Sequence, residues 1–186
     1  MKTLLALLFT INLSASVSPE FIITNYYDPS IVISFEAWKG GDLSVRILTE
    51  DSELIFNDNL KIDETDGVKY NLKNLKSGKY LVKLENDIKL VEETVILFDG
   101  KIVKKEAKIY YKPVVVIKKD LINLSFLSYN GDVDVTIFGD EGELYSSSVE
   151  NTKPYNRIYS ISDLPQGSYT IDVRNDKVSR TISFRR

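Results

Sequence analysis

The side chains available for chemistry here are carboxylates, lysines, tyrosines and serines, because the 186 residues include no histidine and no cysteine. Two groups of acids stand out: Asp63, Glu64 and Asp66, and then Asp132, Asp140, Glu141 and Glu143. Glycoside hydrolysis needs two carboxylates facing a cleft. Calcium takes turn carboxylates and carbonyls as ligands. Both groups sit at turns or strand ends, where acids are ordinarily solvated, and Asp63-Glu64-Thr65-Asp66-Gly67 lacks the distal Glu of a calcium loop. Neither catalysis nor metal binding is expected, and no cofactor is implied, since the sequence has no glycine-rich phosphate loop and no dinucleotide fingerprint.

The missing residue types exclude more. Without His there is no Ser-His-Asp triad, no imidazole acid or base and no His-ligated metal. Without Cys there is no thiol nucleophile, disulfide, zinc ribbon or iron–sulfur cluster. A formal net charge of -3 argues against nucleic acid as a partner. Exposed aromatics would suit a glycan, and Tyr26, Tyr27, Tyr110 and Tyr111, with Tyr129, Tyr145 and Tyr155, are candidates for such a surface. Tyr is also a favoured strand residue, so a structural role competes at each position.

The first residues read as an address. Lys2, the apolar run 3–11 and the small residues Ser14-Ala15-Ser16 form a signal peptide over 1–16, with cleavage after Ser16. The run is shorter than the roughly 20 residues a bilayer requires. No membrane span is expected, and without Cys no lipoprotein anchor. The expected location is the periplasm, the cell surface or the exterior. An exported chain with no disulfide must fold on its core and its strand ladders alone.

The elements that position these residues come from an internal repeat spaced by about 90 residues. Gly41-Asp42-Leu43-Ser44-Val45-Arg46-Ile47-Leu48 returns as Gly131-Asp132-Val133-Asp134-Val135-Thr136-Ile137-Phe138. Ser34-Phe35 returns as Ser125-Phe126, and Glu53-Leu54 as Glu143-Leu144. The block from Leu75 through Gly78 and Tyr80 returns from Leu164 through Gly167 and Tyr169. Both copies alternate apolar and polar residues with period two, and turn dipeptides fall between the runs. Strands are predicted near 21–25, 31–38, 42–48, 53–57, 68–73, 79–85 and 92–98, then 113–118, 121–127, 132–138, 143–149, 157–162, 168–174 and 179–184. The chain is therefore expected to be all-β: two tandem Ig-like or fibronectin-III-like antiparallel β-sandwiches, over 17–98 and 113–186, joined by a β-hairpin linker over 99–112 with its turn at Asp99-Gly100.

The expected core is Phe35, Trp38, Val45, Ile47, Leu72, Leu75, Tyr80 and Val82 in the first copy. In the second it is Leu124, Phe126, Val135, Ile137, Ile161, Leu164, Tyr169 and Ile171. The turn motif has an expected mechanism. The Leu points inward, Gly78 and Gly167 supply a backbone conformation that a Cβ resists, and Tyr80 and Tyr169 pack inside while their hydroxyls reach loop backbone.

Val135, Ile137, Asp140, Gly142 and Leu144, the Leu164, Gly167, Tyr169, Ile171, Val173 series and the basic end Arg180-Thr181-Ile182-Ser183-Phe184-Arg185-Arg186 resemble the type A C-terminal sorting domain of type IX secretion cargo. The second copy also resembles a family of small, functionally uncharacterised immunoglobulin-like domains of exported bacterial proteins, through Val133-Asp134-Val135-Thr136-Ile137 and Leu164-Pro165-Gln166-Gly167-Ser168-Tyr169-Thr170-Ile171. The resemblance implies a sandwich fold and a non-catalytic protein whose partner at the cell envelope is a protein or a glycan. Three roles follow as expectations: an interaction or structural module, a secretion cargo or accessory whose terminal copy is read as a sorting signal, and a glycan-binding module.

Overall fold

Alternation decides where the chain goes. In the strand Asp42–Thr49, Leu43, Val45 and Ile47 are buried while Ser44 and Arg46 are half-buried on the other side. A strand with one oily face must lay that face on another sheet. In the computed structural model, which describes residues 22–24, 28–38, 41–62, 67–127, 131–150 and 154–186, fifteen strands do this in two sets. They are β1 (Ile22–Thr24), β2 (Ser30–Ser34), β3 (Asp42–Thr49), β4 (Leu54–Lys61), β5 (Gly67–Asn71), β6 (Gly78–Glu85), β7 (Lys89–Phe98) and β8 (Lys101–Tyr111). They continue with β9 (Val114–Lys118), β10 (Leu121–Phe126), β11 (Val133–Gly139), β12 (Gly142–Val149), β13 (Tyr155–Ser160), β14 (Ser168–Arg174) and β15 (Ser179–Arg185). The predicted leader 1–16 lies outside the described residues.

The first set makes a three-stranded sheet β1-β2-β5 and a five-stranded sheet β4-β3-β6-β7-β8. The second makes a three-stranded sheet β13-β10-β9 and a four-stranded sheet β12-β11-β14-β15. Every pairing is antiparallel. The chain is thus all-β, two tandem sandwiches of the Ig-like or fibronectin-III-like kind. Its copies match in fine detail, because β3 carries a bulge against β4 at Ile47/Leu48 and β11 one against β12 at Ile137/Phe138.

The cores are separate clusters. One holds Ile31, Ile33, Phe35, Trp38, Val45, Ile47, Leu84 and Val95 among others; the other holds Ile122, Leu124, Phe126, Val135, Ile137, Ile171 and Val173 among others. Leu75 and Leu164, expected inside, are half-buried against them. The predicted strand 31–38 stops early, at Ser34. The chain must cross from one sheet to the other there, and Phe35–Ala37 does so as a single 3-10 turn closed by Trp38 N–H on the Phe35 carbonyl at 3.0 Å. Phe35 and Trp38 stay buried, and the Lys89 ammonium lies 4.6 Å over the indole.

Asp99 and Gly100 both take positive φ, 49° and 69°. Two successive positive values suit the tight turn that matches the twist of a two-stranded ribbon. Beyond it β8 pairs with β7 from Phe98↔Lys101 to Lys89↔Tyr111, so residues 101–111 form the fifth strand of the larger sheet. The register sets Leu90 opposite Tyr110. Both project into the second sandwich: Leu90 is 4% exposed within its core, and Tyr110 packs against that core. Lys112 N–H donates to the Ile88 carbonyl at 2.8 Å, and Arg180 donates to the Pro113 carbonyl at 3.2 Å and to the Asp87 carbonyl.

Leu90→Ala should therefore destabilise the second sandwich, by about 2–5 kcal/mol for a buried Leu. Trp38 is the single tryptophan and reports on the first sandwich. Far-UV dichroism reports on both. In denaturant the dichroic transition of the variant should move ahead of the fluorescence transition; a joint, small shift would contradict the docking of Leu90.

Candidate functional site

The repeated turn is built the same way twice. Leu75 N–H bonds the Leu72 carbonyl at 2.9 Å, and Leu164 N–H bonds the Ile161 carbonyl at 3.2 Å. Two residues into the next strand, Tyr80 donates its hydroxyl to the Lys76 carbonyl at 2.8 Å, and Tyr169 donates to the Pro165 carbonyl at 2.8 Å. Each ring is buried and each hydroxyl satisfies a loop carbonyl that water would otherwise serve. The expectation for the glycines is corrected: neither Gly78 nor Gly167 has positive φ. A Cβ on Gly78 would meet the Tyr80 ring at 3.7 Å, and one on Gly167 the Tyr169 hydroxyl at 3.6 Å, both ordinary contact distances. The glycine lies beside the aromatic ring, and neither a left-handed backbone nor a lack of room for a Cβ demands it there.

The described acids do not assemble. Asp63, Glu64 and Asp66 lie outside the described residues. Asp132, Asp140, Glu141 and Glu143 are all exposed, the last three at the β11–β12 turn. Among the described residues no group of three or more acidic side chains comes together in a way that could hold a metal.

Nor do the described tyrosines make one platform. Tyr26, Tyr27 and Tyr129 lie outside the described residues. Tyr110 and Tyr111 are neighbours on β8 and so point to opposite sides. Tyr110 borders a groove of about 320 Å³ with Leu81, Glu92, Thr94, Glu106, Lys108 and Lys177. Burial raises its pKa, helped by Glu92 and Asp176 and opposed by Lys108. Tyr111 is exposed on the other side. Tyr155 is buried with its hydroxyl 2.9 Å from that of Tyr159, and Tyr145 sets its ring edge-on to Tyr159 at 5.5 Å.

What the sequence reading missed is a surface. On the outer side of the sheet β13-β10-β9, the cross-strand row Val116–Asn123–Ile158 lies next to the row Val114–Ser125–Asn156. Val114, Val116 and Ile158 are 57%, 51% and 67% exposed. Leu121 flanks them, and Leu127, Tyr111 and Ile88 carry the apolar strip onto the junction between sandwiches. Seven of the fourteen large hydrophobics left exposed among the described residues lie on this strip, which makes it a patch rather than scatter. Among the described residues, the charged side chains lining its two hollows are Arg157, Lys112 and Arg180, and Lys112 is paired with the Glu85 carboxylate at 2.9 Å. The equivalent face of the first sandwich instead presents Val32, Ser34, Lys69 and Asn71. One signal was available: Val114-Val115-Val116-Ile117 does not alternate, as in a strand covered on both sides.

Strand order and connectivity define the class, a pair of Ig-like or fibronectin-III-like sandwiches. Residues 28–98, within the first sandwich, match the family described as the secretion system C-terminal sorting domain. The residues that carried the resemblance in the second copy lie outside that span. No curated protein matches the chain. Among solved structures it is similar to a two fibronectin type-III domain segment from chicken tenascin, at 10% identity over 89% of this chain and 96% of that one, with a TM-score of 0.29. It is also similar to the chicken CNTN1 FN1-FN3 domains, at 15% identity over 84% of this chain and 60% of that one, with a TM-score of 0.27. The BSP domain of a biofilm associated protein is a third, at 9% identity over 86% of this chain and 27% of that one, also with a TM-score of 0.27.

Tyr80→Phe and Tyr169→Phe should each cost about 0.5–1.5 kcal/mol, the worth of one hydrogen bond. Gly78→Ala should stay within about 0.5 kcal/mol of the parent, as a surface change without strain does; a loss of several kcal/mol in urea unfolding would restore a conformational role for the glycine. An alkaline effect follows from two other tyrosines. Tyr70 donates to the Asp58 carboxylate at 2.7 Å, and burial and that carboxylate push its pKa up. Burial and the Tyr155 hydroxyl do the same for Tyr159. In the unfolded chain a phenol ionises near pH 10. The stabilisation is thus full below about pH 10 and is lost as pH rises towards the folded pKa values. Denaturant midpoints measured through that window should fall, and Tyr70→Phe should make the fall shallower.

Proposed function

We propose that this chain is an exported, non-catalytic recognition protein of the secretion-sorting kind. It would be divided as a leader over 1–16, a sandwich over 17–98, a joining ribbon over 99–112 and a sandwich over 113–186. The observation that carries this reading is the match of residues 28–98 to the sorting-domain family. The repetition of the same Leu-x-x-Gly-x-Tyr turn, with the same hydroxyl-to-carbonyl bond, in the second sandwich supports it. A sorting module is read as a folded surface, through loops and strand edges, and needs no catalytic group. A fold without disulfides, closed on two cores, suits a protein that folds in the periplasm before crossing the outer membrane.

In a bacterium that has type IX machinery, the intact tagged chain should reach the exterior, and a chain lacking 113–186 should remain in the periplasm where that copy is the one read. A second deletion, of 28–98, reports which copy is read. Outward passage unchanged by either deletion would falsify the sorting role.

A second reading is favoured by the apolar strip on β13-β10-β9: an interaction module at the cell envelope, with a protein partner held on that face. Val116→Lys with Ile158→Lys should abolish such binding while leaving thermal stability unchanged, because both side chains are exposed in the parent.

A further inference from the structure

The apolar strip has a chemical complement elsewhere in the same chain. Residues 131–150 contain six acids, Asp132, Asp134, Asp140, Glu141, Glu143 and Glu150, and no Lys or Arg. The β11–β12 hairpin within this stretch exposes Phe138, Leu144 and Tyr145, at 38%, 51% and 41%. Phe138, paired with Glu143, lies on the outer face of the hairpin and Tyr145, paired with the buried Ile137, on the inner one. Asp140, Glu141 and Glu143 are exposed along the same turn, and β12 is an edge of its sheet. The hairpin is apolar and anionic where the strip is apolar and, through Arg157 and Arg180, cationic. Sheet edges in proteins are guarded by charged side chains, Lys above all, by Pro or by bulges; β12 carries Glu143 and no Lys, Arg or Pro. The other edges, apart from the three-residue β1, carry Lys61, Lys69, Lys101, Lys118, Arg157 or Arg180. The corresponding acidic turn of the first sandwich fits less well, since Lys79 already holds Glu50 at 3.0 Å.

We propose that the strip on β13-β10-β9 binds the β11–β12 hairpin of a second copy of this chain, deepening the reading of that face as a binding surface, on which this proposal rests. The hairpin belongs to the opposite sheet of its own sandwich, so a module cannot cover its own face. Two strips meeting each other across a two-fold axis would set Arg157 and Arg180 of one copy against the same pair of the other with no free carboxylate between them, and like charges facing across an interface are strongly disfavoured. The contact is therefore head-to-tail. Each copy has one free hairpin and one free strip, and association propagates into rows or closes into rings. Asp87 and Asp120 lie at the two ends of the strip; Asp120 is engaged by Arg186 at 3.4 Å.

The test is sedimentation velocity of the intact chain across a range of concentrations, at low and high salt. The parent should self-associate, and more weakly in high salt. Arg157→Glu spoils the strip and Glu143→Arg spoils the hairpin; each should weaken self-association by roughly tenfold or more through like-charge contact. Mixed in equal amounts, the two variants should assemble again in alternation, because the unaltered hairpin of one fits the unaltered strip of the other, and the two altered surfaces carry opposite charges at the next contact. The chain carrying both changes should associate again, which separates a restored ion pair from damage to the fold. A parent monomeric at every concentration, or single variants that still assemble alone, would overturn the proposal. A monomer that binds phosphatidylglycerol vesicles or poly-L-glutamate would overturn it too, while keeping the strip as a binding surface. A monomer that binds neither would remove the binding surface as well.

Discussion

Each sandwich must hold itself together by burying side chains between two facing sheets, with no covalent link to help. Modules of this size bury only a modest fraction of their unfolded surface, so every large residue inside counts. The first sandwich answers with Phe35, Trp38 and Tyr80 and a fifth strand on its larger sheet. The second has a smaller core and takes Leu90 and Tyr110 from its neighbour. The junction is therefore part of the second core. The stability of one sandwich becomes coupled to the integrity of the other, and the hydrogen bonds from Arg180 to the backbone at Asp87 and Pro113 tie the same seam from the second side.

The repeated turn shows how a motif and its mechanism can part company. Leu, Gly and Tyr at fixed spacing marked both copies in the sequence, and the hydroxyl-to-carbonyl bond of each Tyr follows from a buried phenol needing an acceptor. The glycine was assigned a backbone role because glycine before a strand so often has one. Neither glycine has a positive φ, and a Cβ would meet only ordinary contacts at either one. The left-handed positions are elsewhere, at Gly41, Gly100, Gly131 and Gly142, where dipeptide turns announce them.

Strand positions were legible because alternation is a local record of a long-range fact, namely which side faces the core. Leu43, Val45 and Ile47 can be read as an inner face without knowing what they touch. The early end of β2 at Ser34 was not legible, because Phe35 and Trp38 keep the right hydrophobicity while the chain turns between sheets. The exposed strip was illegible for a deeper reason. A run such as Val114-Val115-Val116-Ile117 says that both sides of a strand are apolar, but not that one of them meets solvent. That depends on the register of β9, β10 and β13 and on no other described strand stacking above them. Tyr110 and Tyr111 were singled out for exposure; the structure divides them, giving one to the seam and one to the strip.

The passage from β8 to β9 takes two residues, Lys112 and Pro113. The ring of the second fixes its φ, and the amide of the first is bound to the Ile88 carbonyl. There is no slack in such a joint. A tug on one sandwich reaches the other through a stiff ribbon instead of being absorbed by a loose tether, and whatever grips the two ends of the molecule is held at a fixed spacing. The protein behaves mechanically as a strut, and its reach is set by its folded length rather than by the stretch of a linker.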